Sequence, residues 1–264
     1  MNILVISDLH LGVYARGDIF GWDSGKFLET LKEVCDTNKI DKIILNGDIF
    51  ELYKYRISEI EDTHKALLGF LREKKAVFIK GNHDIILDKG LSSYTIINSK
   101  GESIHIEHGH NADFLNGTKL GRFIGVLLMT LLKTMCKIDI VNRIYLAIVK
   151  FDDEIERIPR KYNSYKYLNY ALKLLKKHDV LIMGHTHKME VHKTWHFNSK
   201  KKYLNCGSCS MGRFHGIVLD TETLWYETVK IEQNILFEME EKRLFEKKEL
   251  IKDNHGGYVE VVQQ

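Results

Sequence analysis

Five short apolar runs in this chain each end on a cluster of carboxylate, imidazole or amide side chains, which restricts the fold to one that gathers several strand ends at one place. The runs are residues 2–7, 42–45, 76–79, 103–106 and 179–183. They are short and rich in β-branched residues, which predicts buried strands. Behind them stand Asp8-Leu9-His10, Asn46-Gly47-Asp48, Gly81-Asn82-His83-Asp84, Glu107-His108-Gly109-His110 and Gly184-His185-Thr186-His187. Helical periodicity fills the early gaps. Phe27, Leu28, Leu31, Val34 and Cys35 share one face behind an expected cap at Ser24, and Ile57, Ile60, His64, Leu67, Leu68 and Leu71 share another. Strand and helix in alternation predict an α/β layered fold with ligands at the carboxyl ends of the strands.

The pattern changes later. Residues 191–195 and 202–204 flank a polar Asn198-Ser199 turn, and residues 216–219 and 224–229 flank Asp220-Thr221, so two antiparallel hairpins are expected. The charge-dense stretch 232–252 fits a solvated helix and an extended edge equally well. Residues 111–177 interrupt the alternation. Leu120, Phe123, Ile124, Leu127, Leu128, Leu131 and Met135 recur at helical spacing, then Val141, Ile144, Tyr145, Ile148 and Val149, then Leu168, Leu172 and Leu175. These predict a helical insertion between two ligand-bearing strands. Stripes of this kind usually complete a core, but the first is apolar nearly all round, which also suits a lid over a greasy substrate or a membrane surface.

With 264 residues and 44% hydrophobic content, the chain can bury one substantial core, so a single domain over 1–264 with the insertion at about 111–177 is expected. A net charge of +3 gives no strong signal for a nucleic-acid partner and is compatible with a phosphorylated substrate. Four cysteines without a signal-like N-terminus suggest a reducing, cytoplasmic setting. The apolar run 123–132 is well below the ~20 residues of a membrane span, so any membrane contact is expected to be peripheral, through the lid.

The ligand types point to metal chemistry. Residues two apart on an extended strand face the same side, so Asp8 and His10 can address one ion, as can His185 and His187. Asp48 follows a glycine that permits close backbone approach, and its two oxygens can bridge two cations. Asn82 adds a carbonyl oxygen and His108 a nitrogen, with His110 as an alternative ligand or a supporting residue. Mixed nitrogen and oxygen donors suit manganese best here, with iron and zinc as alternatives, over calcium or magnesium. A single histidine is more often a core or surface residue, and His64, His105, His178, His192, His196 and His255 are read that way.

Asp8-Leu9-His10, Gly47-Asp48, Gly81-Asn82-His83-Asp84, His108-Gly109-His110 and Gly184-His185-Thr186-His187, in this order, resemble the calcineurin-like metallophosphoesterases over about residues 1–220. The resemblance implies a four-layer α/β/β/α sandwich, two divalent metal ions and in-line attack by an activated water on phosphorus. It places one ion on Asp8, His10, Asp48 and His187 and the other on Asp48, Asn82, His108 and His185. It leaves His83 as general acid, with Asp84 expected to orient its imidazole. Asn205-Cys206-Gly207-Ser208 is similar to the family's Asn-x-Gly-Ser turn, which competes with zinc binding as a reason for the Cys206 and Cys209 pair.

Protein serine/threonine phosphatases of this superfamily carry aspartate-arginine-glycine soon after the Gly-Asp motif, where this chain has Ile49-Phe50-Glu51-Leu52. Gly47-Asp48-Ile49-Phe50-Glu51 and the insertion after His108 instead resemble the UDP-2,3-diacylglucosamine diphosphatase branch, although its lipid A enzymes usually have arginine at the position of His83. The expected activity is therefore a pyrophosphatase or phosphodiesterase on a nucleotide-linked or lipid-linked substrate. Arg157, Arg160, Lys161 and Lys166 are candidates to meet the phosphates, although such a run is more often a solvated face. The alternatives are a nuclease or cyclic-nucleotide phosphodiesterase, which calls for an open basic groove with stacking aromatics, and a noncatalytic scaffold, which predicts gaps in the ligand set. The set has none.

Overall fold

The computed structural model describes residues 1–112, 124, 127, 128, 130–132, 134–155, 161–196, 199–232, 250–252 and 258–260. Two five-stranded mixed sheets lie face to face. The first is built on β1 (Asn2–Ile6), β2 (Lys42–Asn46) and β3 (Val77–Ile79), which run parallel, with β9 (Arg213–Asp220) antiparallel to β1 and β10 (Tyr226–Glu232) antiparallel to β9. The second has β5 (Ser103–Ile106), β6 (Val180–Met183) and β8 (Ser199–Cys206) parallel at its centre. Its edges are β4 (Tyr94–Ile97) and β7 (Met189–His196), both antiparallel to their neighbours.

The continuous apolar runs follow from burial on both faces. Ile3 and Val5 of β1 meet Ile104, Ile106, Val180, Ile182 and Leu204 in the seam between the sheets. Leu4 and Ile6, pointing the other way, pack under α1 (Ser24–Thr37), α2 (Ile57–Thr63) and α3 (Lys65–Glu73), which supply Phe27, Leu31, Ile60, Leu67 and Leu71. On the far side, Ala171 and Leu175 of a helix from the insertion cover Leu181, Met183 and Tyr203. Helices, sheet, sheet and helix make the expected four layers.

Several local expectations are corrected. Asp23, not Ser24, caps α1, because its carboxylate reaches the Lys26 N–H at 3.0 Å and adds a negative charge at the positive helix end. The pattern from Ile57 to Leu71 is two helices, since the His64 ring is drawn into the core onto the Gly12 carbonyl at 3.0 Å and the helix breaks there. β4 was not anticipated: its residues alternate between half-buried and exposed, so it carries no continuous apolar run. In the stretch 232–252, residues 250–252 form β11 (Leu250–Lys252), paired with β12 (Tyr258–Glu260), while 233–249 lie outside the described residues.

The insertion contributes α4 (Asp139–Ile155) and α5 (Lys161–Leu175), between β5 and β6 in the chain. Leu120, Phe123, Arg157 and Arg160 lie outside the described residues. Ile124, Leu127, Leu128 and Leu131 are helical but exposed, as are Ile140, Ile144 and Ile148 along one stripe of α4. No helix among the described residues is long and apolar enough to cross a membrane.

Candidate metal centre

Asp8, His10, Asp48, Asn82, His83, His108, His185 and His187 converge where β1, β2, β3, β5 and β6 end. The means differ from the expected alternation along a strand. β1 stops at Ile6 and β6 at Met183, and the ligand pairs follow in left-handed backbone: φ is 54° at Asp8, 49° at His10, 52° at Asp48, 69° at His185 and 57° at His187. Such a conformation costs a non-glycine residue about 1–3 kcal/mol and persists where the surroundings overdetermine it. Here the loops after β1 and β2 continue the ladder. The N–H groups of Asp8, His10 and Leu11 donate to the carbonyls of Gly47, Asp48 and Ile49 at 3.0, 3.0 and 2.8 Å.

Around Asp8, one carboxylate oxygen lies 3.3 Å from His187 Nε2 and 3.9 Å from His10 Nε2, and the two imidazole nitrogens lie 3.3 Å apart. The other oxygen accepts the His185 N–H at 3.0 Å and the Ser7 hydroxyl. Burial opposes the Asp8 carboxylate, yet His108 and His187 hold its pKa down at about 2. Ligand atoms of Asp8, His10 and His187 all fall within 4.8 Å of one another, as do those of Asp48, His108 and His185. In the second group His108 Nε2 is 3.2 Å from Asp48 Oδ2, and His108 Nδ1 sits 2.8 Å from the Asn46 carbonyl, which turns Nε2 toward the centre. Burial, together with the neighbouring His108, pushes the His185 pKa down to about 3 and keeps its imidazole neutral.

These residues fit a pair of divalent cations. Oδ1 of Asn82 and Nδ1 of His185 are sealed from solvent with no hydrogen-bond partner among the described residues, and buried polar atoms left so are costly unless a ligand satisfies them. His110 lies behind this group, its ring 5.6 Å from that of His108 and 6.4 Å from that of His185, outside the three-residue groups. Tyr167 of α5 brings its ring to 5.7 Å from His185.

His83 sits between the clusters. Its N–H donates to Asp48 Oδ1 at 2.8 Å, and its ring is edge-on to His10 at 4.7 Å. The expectation that Asp84 orients this imidazole is corrected. Asp84 is fully buried and accepts the N–H groups of Gly81 at 2.6 Å and Ile49 at 2.7 Å, so it ties the loop after β3 to the loop after β2. Burial and the nearby Asp48 push its pKa up to about 7. The partner of His83 Nδ1 is Glu51, at 2.9 Å, whose other oxygen is 3.4 Å from His10 Nδ1. Burial works against the His83 cation, but Glu51 and Asp48 outweigh it and raise the pKa to about 9. Glu51 carries a role that the sequence reading missed, although its place three residues after Asp48 was a usable signal.

Cys206 and Cys209 are buried free thiols. Cys206 Sγ lies 3.1 Å from both Ser7 Oγ and the Met183 carbonyl, and Cys209 Sγ lies 3.2 Å from the His215 carbonyl. Their surroundings are structural. Two glycines let the chain segments close on the centre. A Cβ at Gly47 (φ +85°) falls 2.4 Å from the His108 ring, and one at Gly184 falls 2.5 Å from Ser7 Oγ and 2.8 Å from Asp8 Oδ2. Gly184→Ala is expected to displace Asp8, cut metal content and destabilise the fold by about 1–3 kcal/mol, as overpacking does. Elemental analysis and thermal unfolding check this, and a variant with wild-type values for both contradicts it.

The sequence pattern of the calcineurin-like phosphoesterases matches residues 1–189. No curated protein matches the chain. Among solved structures, a hypothetical protein from Pyrococcus horikoshii OT3 is similar at 12% identity and a TM-score of 0.50, over 92% of this chain and 94% of that one. A dimetal phosphatase from Danio rerio is similar at 10% identity and a TM-score of 0.44, over 87% and 98%. Vps29 complexed with zinc from Entamoeba histolytica is similar at 17% identity and 0.43, over 87% and 99%. The first of these likenesses extends to the fold alone. The family pattern and the converged carboxylate and imidazole groups agree: the chain belongs to the calcineurin-like phosphoesterase family, whose members are metal-dependent hydrolases.

Proposed function

We propose that the protein is a pyrophosphatase or phosphodiesterase acting on a nucleotide-linked or lipid-linked substrate, of the UDP-2,3-diacylglucosamine diphosphatase kind, with manganese as the preferred metal. The observation that carries this reading is the insertion, which sends Tyr145 and Tyr167 inward, Tyr167 onto His185, while exposing Ile140, Ile144 and Ile148 together with Leu127, Leu128 and Leu131. Covering each such side chain with acyl chains is worth about 1.5–3 kcal/mol. A peripheral membrane contact through this surface and a cytoplasmic setting belong to the same reading.

In this reading, Asp8, His10, Asp48 and His187 hold one cation and Asp48, Asn82, His108 and His185 the other. Two cations bound there supply Lewis acidity to the phosphate oxygens and acidify a water nucleophile. Asp48 sets the spacing of the two donor sets and, through the His83 N–H, of the acid relative to both. Glu51 takes His83 Nδ1, so Nε2 is the atom that gives a proton to the leaving oxygen. The preference for manganese rests on the mixed nitrogen and oxygen donors.

Mass spectrometry of products with manganese present tests the substrate. UDP-2,3-diacylglucosamine is expected to release UMP at least about tenfold faster than a cyclic nucleotide or single-stranded DNA is cleaved, a margin of about 1.4 kcal/mol in transition-state binding. Faster cleavage of either of those overturns the proposal.

A further inference from the structure

The turn that carries Glu51 is anchored by the insertion. The N–H groups of Lys54 and Tyr55 both donate to the Glu51 carbonyl, at 3.2 and 3.1 Å, which closes the segment on itself. Two of its side chains address His83: the Glu51 carboxylate at 2.9 Å and the Tyr53 ring, whose centroid is 4.4 Å from that of the imidazole at a 33° tilt. A third, Lys54, is buried and donates to the Gly17 carbonyl at 3.0 Å and the Tyr145 hydroxyl at 2.8 Å. Its ammonium is also 4.9 Å from the centroid of the Tyr145 ring.

Tyr145 stands on α4. The foot of that helix is held to the loop after His10 by Arg16, which pairs with Asp139 at 2.6 Å and donates to the Lys137 carbonyl. Burying an ammonium costs several kcal/mol unless its donors are met. Burial works against the Lys54 charge, but Glu51, Tyr145 and Asp18 outweigh it. A tie that merely pins a surface helix has no need of a buried cation beside the carboxylate that orients His83.

We infer that Tyr145 and Lys54 are positioning residues: through them the insertion holds the 51–55 turn, and with it the His83 imidazole, in line with the leaving oxygen. The inference rests on the reading of His83 as general acid. It predicts a selective defect, because help from an acid matters more to a poor leaving group than to a good one.

Tyr145→Phe, Lys54→Met and His83→Ala are to be assayed on a p-nitrophenyl phosphodiester and the corresponding phenyl diester, with metal content measured on each purified protein. Tyr145→Phe and Lys54→Met are expected to lower kcat about tenfold on the phenyl diester and less than about twofold on the p-nitrophenyl diester, since a small displacement of an acid costs rate mainly where its proton is needed. KM and metal content stay at wild-type values, and His83→Ala shows the same selectivity, only larger. Equal losses on both esters, or no loss, in Tyr145→Phe while His83→Ala stays selective overturns this inference alone. A nonselective His83→Ala overturns the reading of His83 and the inference with it.

Discussion

Asp48→Asn is expected to leave the protein folded and to lower kcat/KM by at least about 10³-fold. Asp48 accepts the His83 N–H through one oxygen and faces His108 through the other, and it belongs to two of the three groups whose ligand atoms lie close together. In the proposed ligand sets Asp48 would serve both cations, so neutralising it would remove a negative charge that each of them would share. At about 4 Å and an effective dielectric of ~20, one unit charge pair is worth about 4 kcal/mol, and a loss of that size is about 10³-fold in rate. Asparagine keeps the shape and one oxygen. The expected signature is therefore lower metal content per chain with an unchanged far-ultraviolet circular dichroism spectrum. Full activity in this variant removes Asp48 from the centre.

His83→Ala is expected to lower kcat by about 10² to 10⁴-fold, the usual contribution of a positioned acid, with metal content unchanged. The companion variant Glu51→Gln keeps a hydrogen-bond partner for Nδ1 but removes the carboxylate charge. The sign follows from the causes of the shift. Glu51 and Asp48 raise the His83 pKa above that of an ordinary imidazole, so the protonated acid persists to higher pH. Taking away the Glu51 charge lowers that pKa, and the alkaline limb of the kcat profile moves to lower pH. Because His83 also lies within ligand distance of His10 and Asp48, metal loss in His83→Ala identifies it as a ligand. An unmoved alkaline limb in Glu51→Gln removes the orienting role of Glu51.

Strand positions were legible because β1, β2 and β6 are buried on both faces, which writes an uninterrupted apolar run into the chain, while β5 buries Ile104 and Ile106 on one face. β4 is half exposed and left no such trace. Convergence of Asp8, His10, Asp48, Asn82, His108, His185 and His187 was legible because each motif follows a strand, and parallel strands bring their ends together. The local geometry was not. Left-handed backbone at Asp8 or His10 has no glycine to announce it, since contacts from the loop after β2 impose it. Glu51 was missed for a related reason. Asp84 adjoins His83 in sequence and was the nearer candidate, but backbone N–H groups of Gly81, Ile49 and Phe50, from two loops, claim its carboxylate.

Asp8, His10, Asp48 and Asn82 follow strands of one sheet, whereas His108, His185 and His187 follow strands of the other. In the proposed ligand sets, each cation therefore draws on both halves of the sandwich and acts as a rivet through them. Any drift in how the halves lean on each other is felt at once as mismatched coordination. Room for change then lies at the periphery, in the hairpins of β7 with β8 and β9 with β10, which carry none of these groups.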